Sequence, residues 1–342
     1  MTGYFIRRLL LIIPTFVGIT LVVFVLIHFV PGGPIERQIS QILGGGSAGD
    51  GVTGGSGVEI PPEAYEQMRQ YYGLDKPVHV RYAQWFWNVL HLDLGKSWVY
   101  RQPVWDVIKS RFPISIFLGL TGFLLSYLVC IPLGVWKAVK HGSKFDFASS
   151  MIVFVGYCIP GWALGTGLLV LFGGGSFWNI FPLGGFRPDN SVWESLGFFQ
   201  KVLSQLHYMA LPVFCYMIGE FARLTILTKN AMIETLSQDY IRTAFAKGLS
   251  GKRVIFGHAL RNSLIPIATG LGHQISLILA GSFLIEKAFN IQGMGYLGYE
   301  ALIKRDYPVA LGILVISSLL MLVGNLLSDF FCAAADPRVR FQ

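Results

Sequence analysis

Five ionisable side chains, His28, Glu220, Arg223, His273 and Asp329, fall inside or beside long apolar runs. Charge is costly to remove from water, so such groups face a partner, a cavity or a pathway. Glu220 and Arg223 stand i, i+3 and can pair across one helical turn. Asp329 lies near the end of its run. His273 and Gln274 lie in the middle of theirs, after Gly270 and Gly272. Together with Ser276 they are the candidates for a polar path through a helical bundle. Hydrogen bonding between helices is the plainer use of the same groups. His273, Glu220 or Asp329 could also relay protons in a secondary, proton-coupled transporter of small polar solutes.

Other chemistries find little support. No paired catalytic carboxylates and no Ser/His/Asp arrangement stand out, so no catalytic residue is assigned and a membrane enzyme ranks last. No metal site is expected: the seven histidines are scattered, and none pairs with a cysteine at zinc-ligand spacing. Cys130, Cys158, Cys215 and Cys332 all lie in or at the end of apolar runs and read as small core residues. Gly293-Met-Gly295-Tyr-Leu-Gly298 matches GxGxxG, but a dinucleotide site needs a preceding strand, a following helix and an acid about twenty residues on. None of the three is convincing here, and a flexible external turn between spans five and six is the better account. Leu94-Gly95-Lys96-Ser97 resembles the end of a phosphate-binding P-loop, yet the required first glycine falls on Leu90. ATP binding by this chain is therefore not expected, and any energy from ATP must come from a partner.

The elements that position these residues follow from composition. Of 342 residues, 53% are apolar and 13% charged, with a mean hydropathy of +0.55. Soluble proteins carry about 25% charged residues. Six runs are long enough to cross a bilayer core of about 30 Å as helices: 9–30, 114–136, 147–172, 207–226, 264–285 and 307–331. They lack the alternation of barrel strands. The first is too long for a signal-peptide core and lacks a cleavage site. The fold class is an all-α membrane protein with six transmembrane helices.

The net charge of +8 is read through its distribution. Segments 31–111, 173–206 and 286–306 each balance acidic and basic residues. Arg7 and Arg8, Lys137, Lys140 and Lys144, and the basic run from Arg223 to Arg261 place their segments inside the cell. Both termini should be cytoplasmic, and the charge does not argue for nucleic acid.

Three regions result: an N-terminal helix in 1–30, an external segment in 31–111 and a five-helix core in 112–342. The external segment contains a glycine-rich insert at 44–57, which cannot bury enough apolar surface to fold. Aromatics are dense over 61–111, as in an interfacial belt or a small cap that could dock a partner. The loop 229–262 reads as two short helices. Ser237 can cap the first, Asp239 suits its first turn, and Gly248 suits the position after its end. Ile241, Ala244, Phe245 and Gly248 share a face, and the small size of Ala244 and Gly248 lets another surface come close. By periodicity the helix suits a lipid surface or a partner groove equally.

The run Asp239-Tyr-Ile-Arg-Thr-Ala-Phe-Ala-Lys-Gly248, with His258-Ala259, Arg261-Asn262 and Pro266, resembles the EAA loop of ABC-importer permeases in its dipeptide/oligopeptide form. Pro31-Gly-Gly-Pro34, Tyr72-Gly-Leu-Asp-Lys-Pro77, Asp93-Leu-Gly95-Lys-Ser97, Arg111-Phe-Pro113, Phe283-Leu-Ile-Glu286 and Asp336-Pro-Arg-Val-Arg340 follow the order of that branch. The long insert, Gln292 in place of a common proline, and Ala333-Ala-Ala335 bring it closest to the Yej-type oligopeptide/microcin C importers. The resemblance implies the type I, MetI-like permease architecture and a place in a bacterial inner membrane. It implies a second permease subunit in a heterodimer. It further implies two ATPases, or one fused ATPase, holding ATP and Mg, and a periplasmic solute-binding protein that delivers peptide. This chain would bind no cofactor itself. The loop would be the coupling helix, with Asp239, Tyr240, Arg242, Thr243, Ala244, Ala246, Lys247 and Gly248 meeting the ATPase.

Overall fold

The computed structural model describes residues 2–29, 62–71, 75–174, 177–271, 274, 278 and 281–335. The glycine-rich insert at 44–57, the stretches 272–273, 275–277 and 279–280 of the fifth predicted span (which include His273 and Ser276) and the segment after 335 lie outside the described residues.

Among the described residues the chain is helical, with two isolated β-bridges and no strand. The helices are α1 (Thr2–Phe29), α2 (Pro62–Tyr71), α3 (Val78–Leu90), α4 (Val104–Val139), α5 (Lys144–Cys158), α6 (Gly161–Phe172), α7 (Asn190–Ser195) and α8 (Phe198–Leu236). After these come α9 (Asp239–Ala246), α10 (Gly251–Arg253), a π-helical turn (Val254–Ala259), α11 (Leu260–Ser263), α12 (Ile265–Thr269), α13 (Phe283–Ala288), α14 (Met294–Ile303) and α15 (Tyr307–Ala335).

Four of these helices, α1, α4, α8 and α15, are long and apolar enough to cross a membrane. The third predicted span is not one straight helix. It is the pair α5 and α6, bent by 93°. The bend has a local cause at Ile159–Pro160. A proline disfavours helical backbone in the residue before it, and Ile159 is extended at φ −98°, ψ 115°. Counting the pair as one span gives five.

The contacts divide the chain into two compact units. The first comprises Met1–Leu9, Arg111–Leu297 and Leu320–Gln342. Its main apolar cluster joins Leu118 of α4, Leu169 of α6, Met209, Leu211 and Cys215 of α8, and Ile285 and Phe289 around α13. Helices α4 and α8 approach very closely. A Cβ on Gly134 would lie 2.6 Å from the Thr228 Cβ and 2.9 Å from the Thr225 carbonyl oxygen, so only glycine permits this contact. Helix α8 has 39 residues, about 58 Å of rise. That exceeds a bilayer core of about 30 Å, so it projects beyond the membrane and carries the following loop. At the chain ends Arg8 pairs with Asp329. Cys130 and Cys215 are buried as expected, but Cys158 is exposed on α5.

The second unit comprises Leu10–Ser110 and Gly298–Leu319. Here α3 lies against the C-terminal half of α1. Phe24 meets Tyr82 and Trp85, each at 5.4 Å between ring centroids, and the Tyr82 hydroxyl lies 3.1 Å from Thr20 Oγ1. Part of the aromatic-rich segment is thus internal glue and not a belt alone. Buried Asp306 accepts hydrogen bonds from Ser97 Oγ and from the amides of Trp98 and Val99 (3.1 and 3.2 Å), tying the loop before α4 to the start of α15.

Candidate functional site: the α9 loop and the membrane cavity

Helix α9 stands between α8 and the π-helical turn. Its N-cap is Gln238, which makes no side-chain cap. Ser237 is instead the C-cap of α8, where its hydroxyl donates to the Glu234 carbonyl at 2.7 Å. The predicted cap is therefore on the wrong helix by one residue: α8 runs further than apolarity indicates and takes the serine. The C-terminal prediction holds. Gly248 has φ +78°, its amide donates to the Phe245 carbonyl, and the Leu249 amide donates to the Ala244 carbonyl. This is the paired end-bond pattern of a left-handed glycine cap.

The helix is anchored on one side only. Ile241 and Ala244 are buried against Val135 and Ala138 of α4, Met232 of α8, and Val254 and Ala259. Phe245 and Gly248, expected on the same face, are exposed. Two positions, not four, face the chain's own core, and the small size of Ala244 serves that internal contact. Outward lie Asp239, Tyr240, Arg242, Thr243, Phe245, Ala246, Lys247 and Gly248. Asp239 and Arg242 are 3.6 Å apart and almost fully solvated, so their pairing adds little stability. The Asn262 amide donates to the Tyr240 hydroxyl at 2.8 Å and braces that ring from α11.

Beneath this patch lies a charge cluster that sequence reasoning missed. Lys137 of α4 is 1% exposed. Its Nζ donates to Ser149 Oγ at 2.7 Å, Ser150 Oγ at 2.8 Å and the Asp146 carbonyl at 3.1 Å. The Asp146 carboxylate accepts from Lys229 of α8 at 2.7 and 2.8 Å and lies 3.3 Å from Lys137 Nζ. It also accepts from the Gly142 amide. The cluster therefore fixes α4, α5 and α8 to one another beside the anchor of α9. Ser143 caps α5 by accepting from the Asp146 amide, and that Ser-x-x-Asp spacing was a readable local sign. The contact to Lys229 was not.

Of the pathway candidates, only Gln274 is described. It is buried, and its Nε2 donates to Glu220 at 3.3 Å. Glu220 also accepts from Arg223 Nε at 2.8 Å, so the i, i+3 pair forms as predicted and recruits a third group. Gln274 and Glu220 line a cavity of about 360 Å³ with Ser126, Tyr127, Trp162 and Tyr216.

The glycine motif near 293 is ordered and tight, not a flexible turn, and a helix does follow it: α14 starts at Met294. The motif wraps the fully buried carboxylate of Glu286. A Cβ on Gly293 would come within 2.6 Å of that carboxylate. The Tyr296 amide donates to Glu286 at 2.7 Å, and Ser115 Oγ and the Tyr216 hydroxyl donate at 3.1 and 3.3 Å. Ser115 in turn accepts from the Met294 amide at 2.7 Å. Among the described residues no group of His, Cys, Asp and Glu is arranged to hold a metal.

Residues 130–341 match the family described as binding-protein-dependent transport system inner membrane component. The peptidoglycan transport system permease protein YejB of Agrobacterium fabrum is 39% identical, with 100% of this chain and 99% of that protein covered. The dipeptide transport system permease protein DppB of Escherichia coli K12 is 36% identical, and the oligopeptide transport system permease protein AppB of Bacillus subtilis is 34% identical. Both are covered over their whole length and the whole of this chain. The chain thus belongs to the family of binding-protein-dependent transport system inner membrane components and is a permease subunit of an ABC transporter, in which ATP is hydrolysed by separate subunits.

Proposed function

We propose that this chain is one of two permease subunits of a bacterial inner-membrane importer of oligopeptides, with α9 as the helix that couples it to the ATPases. The observation that carries this reading is the one-sided anchoring of α9. Ile241 and Ala244 are sunk into the ends of α4 and α8, while Tyr240 and Phe245 stay 43% and 49% exposed. Large apolar groups left outside beside Arg242 and Lys247 suit a partner groove better than water. Because the helix is fixed to two long spans, a pull on it is transmitted along them. ATP binding can shift the chain between inward-open and outward-open states only through unequal affinity for the two.

The relatives named for dipeptide, oligopeptide and peptidoglycan transport support a peptide-like cargo. Peptide-like antibiotics such as microcin C belong to the proposed cargo through the Yej-type sequence features alone. The partners are a second, similar permease, two ATPases or one fused ATPase carrying ATP and Mg, and a periplasmic solute-binding protein. The N- and C-termini face the cytoplasm. The cavity beside Gln274 and Glu220 supports a substrate path on this side of α8, with His273 and Ser276 as further members.

The test replaces Tyr240 and Phe245 together with alanine. Membrane insertion should survive, while co-purification of the ATPase and peptide uptake should both fall. Unchanged uptake would sink the coupling role of α9. Uptake that follows the proton gradient after removal of the ATPases would favour a secondary transporter.

A further inference from the structure

Two cavities in the second unit are unexplained by transport. One, of about 250 Å³, is lined by Phe24 and His28 at the end of α1, Arg81 and Trp85 of α3, Asp93, and Tyr307 at the start of α15. The other, of about 340 Å³, lies between the same three helices and is lined almost wholly by apolar side chains, among them Ile13, Phe16, Phe86, Val89 and Ile316. Leu94 borders both.

The polar cavity holds an anomaly. Nε and Nη1 of Arg81 are buried from solvent, and no described residue accepts their hydrogens. A buried guanidinium donor without an acceptor is costly, and the cost disappears if an anion is present. Burial lowers the Arg81 pKa from its ordinary value, and Arg69 pushes the same way, against Asp75 and Tyr307. His28 Nδ1 is engaged with the Phe24 carbonyl at 2.7 Å. The one carboxylate on the cavity wall, Asp93, accepts from the Gly95 amide at 2.8 Å.

Depth along α1 supplies the second argument. His28 is the next-to-last residue of that helix, and Ile13 lies fifteen residues earlier. At 1.5 Å per residue the apolar cavity, lined on α1 from Val17 to Ile12, begins about 10 Å beyond Phe24 and reaches about 24 Å beyond His28. A polar hole holding an unpaired guanidinium at the end of two spans, continued by an apolar hole toward their middle, has the shape and polarity of a phospholipid. Trp85 at the polar level matches the aromatic residues that mark the membrane–water boundary.

We propose that these two cavities form a phospholipid site, with Arg81 holding the phosphate and the cleft between α1, α3 and α15 holding an acyl chain. The guanidinium takes the phosphate oxygens through its two buried N–H groups.

The experiment is native mass spectrometry on the full chain, purified in detergent with the subunits that accompany it. Phosphatidylglycerol or inorganic phosphate is titrated back after delipidation. The wild type should retain and rebind phosphatidylglycerol. Arg81→Gln should weaken rebinding about tenfold, the loss expected for a charged hydrogen bond, and Arg81→Lys should do so less. Ile13→Trp fills the exposed wall of the apolar cleft without touching Arg81, and it too should weaken lipid rebinding. Melting curves on each variant separate lost lipid from lost fold. If Arg81→Gln does not fold, the Ile13→Trp result decides the matter. Equal rebinding by wild type and both variants overturns the proposal. So does inorganic phosphate binding that needs Arg81 but ignores Ile13→Trp, because the ligand is then a soluble anion. Failure of the wild type to bind either ligand overturns it as well.

Discussion

Lys137 is a charge that a hydropathy reading assigns to a loop, and it is almost wholly buried. What makes that tolerable is the completeness of its surroundings: two serine hydroxyls, a carbonyl and a carboxylate. Removing one partner of such a set leaves the others uncompensated. Asp146→Asn should therefore destabilise the chain by about 3–5 kcal/mol, read as a lower melting temperature in detergent. An unchanged melting temperature would mean that the two lysines find other partners. Glu286 poses the same problem with a different answer, because its donors are hydroxyls and an amide. Glu286→Gln keeps the volume but sets an NH₂ group among those donors. It should cost about 1–3 kcal/mol, again by thermal melting. Neither cluster could be read from the sequence, since Lys229 and Tyr216 are distant in the chain from the carboxylates they serve. The Glu220–Arg223 pair could be read because it lies within a single turn.

At the scale of single elements, α9 shows what local chemistry specifies well. The glycine after its end adopts the left-handed backbone that the sequence implies, and open space surrounds it. Gly248→Ala should thus cost about 1 kcal/mol through backbone strain alone, with no clash. Ile241→Ala removes an anchor that is 1% exposed and should cost about 2–5 kcal/mol. Both are checked by melting the purified chain, and a larger loss for Gly248→Ala than for Ile241→Ala would overturn the assignment of inner and outer faces. The start of α9 was less legible because α8 runs on to take Ser237 as its own C-cap, which leaves Gln238 at the N-cap of α9 with no side-chain cap. The break in the third span was hidden for another reason. Apolar content records residence in lipid, whereas the direction of the chain at Ile159–Pro160 depends on two backbone torsions.

For the whole molecule, the membrane character and the helical class follow from composition, and the order of helices follows from the apolar runs. Orientation rests on basic residues near span ends. A cysteine introduced near Gly51 should react with an impermeant label from outside intact cells, and one near Gly251 should react only after permeabilisation. The reverse pattern would invert the assignment of both termini. The division into two compact units is not visible in the sequence, because α1, α4 and α15 are continuous apolar runs that each contribute to both. The glycine-rich turn at Gly293–Gly298 carries a more general consequence. A nucleotide-binding fingerprint and this turn share a physical competence: small residues and free amides that stabilise negative charge at a helix start. The turn is satisfied here by a carboxylate from the same chain. Pattern matching of that kind detects an electrostatic vacancy, and whether the vacancy is filled by a diffusing ligand or by the protein's own side chain is decided by topology. A transport protein can therefore carry the signature of a nucleotide site as a means of internal closure, with the counter-charge delivered by folding itself.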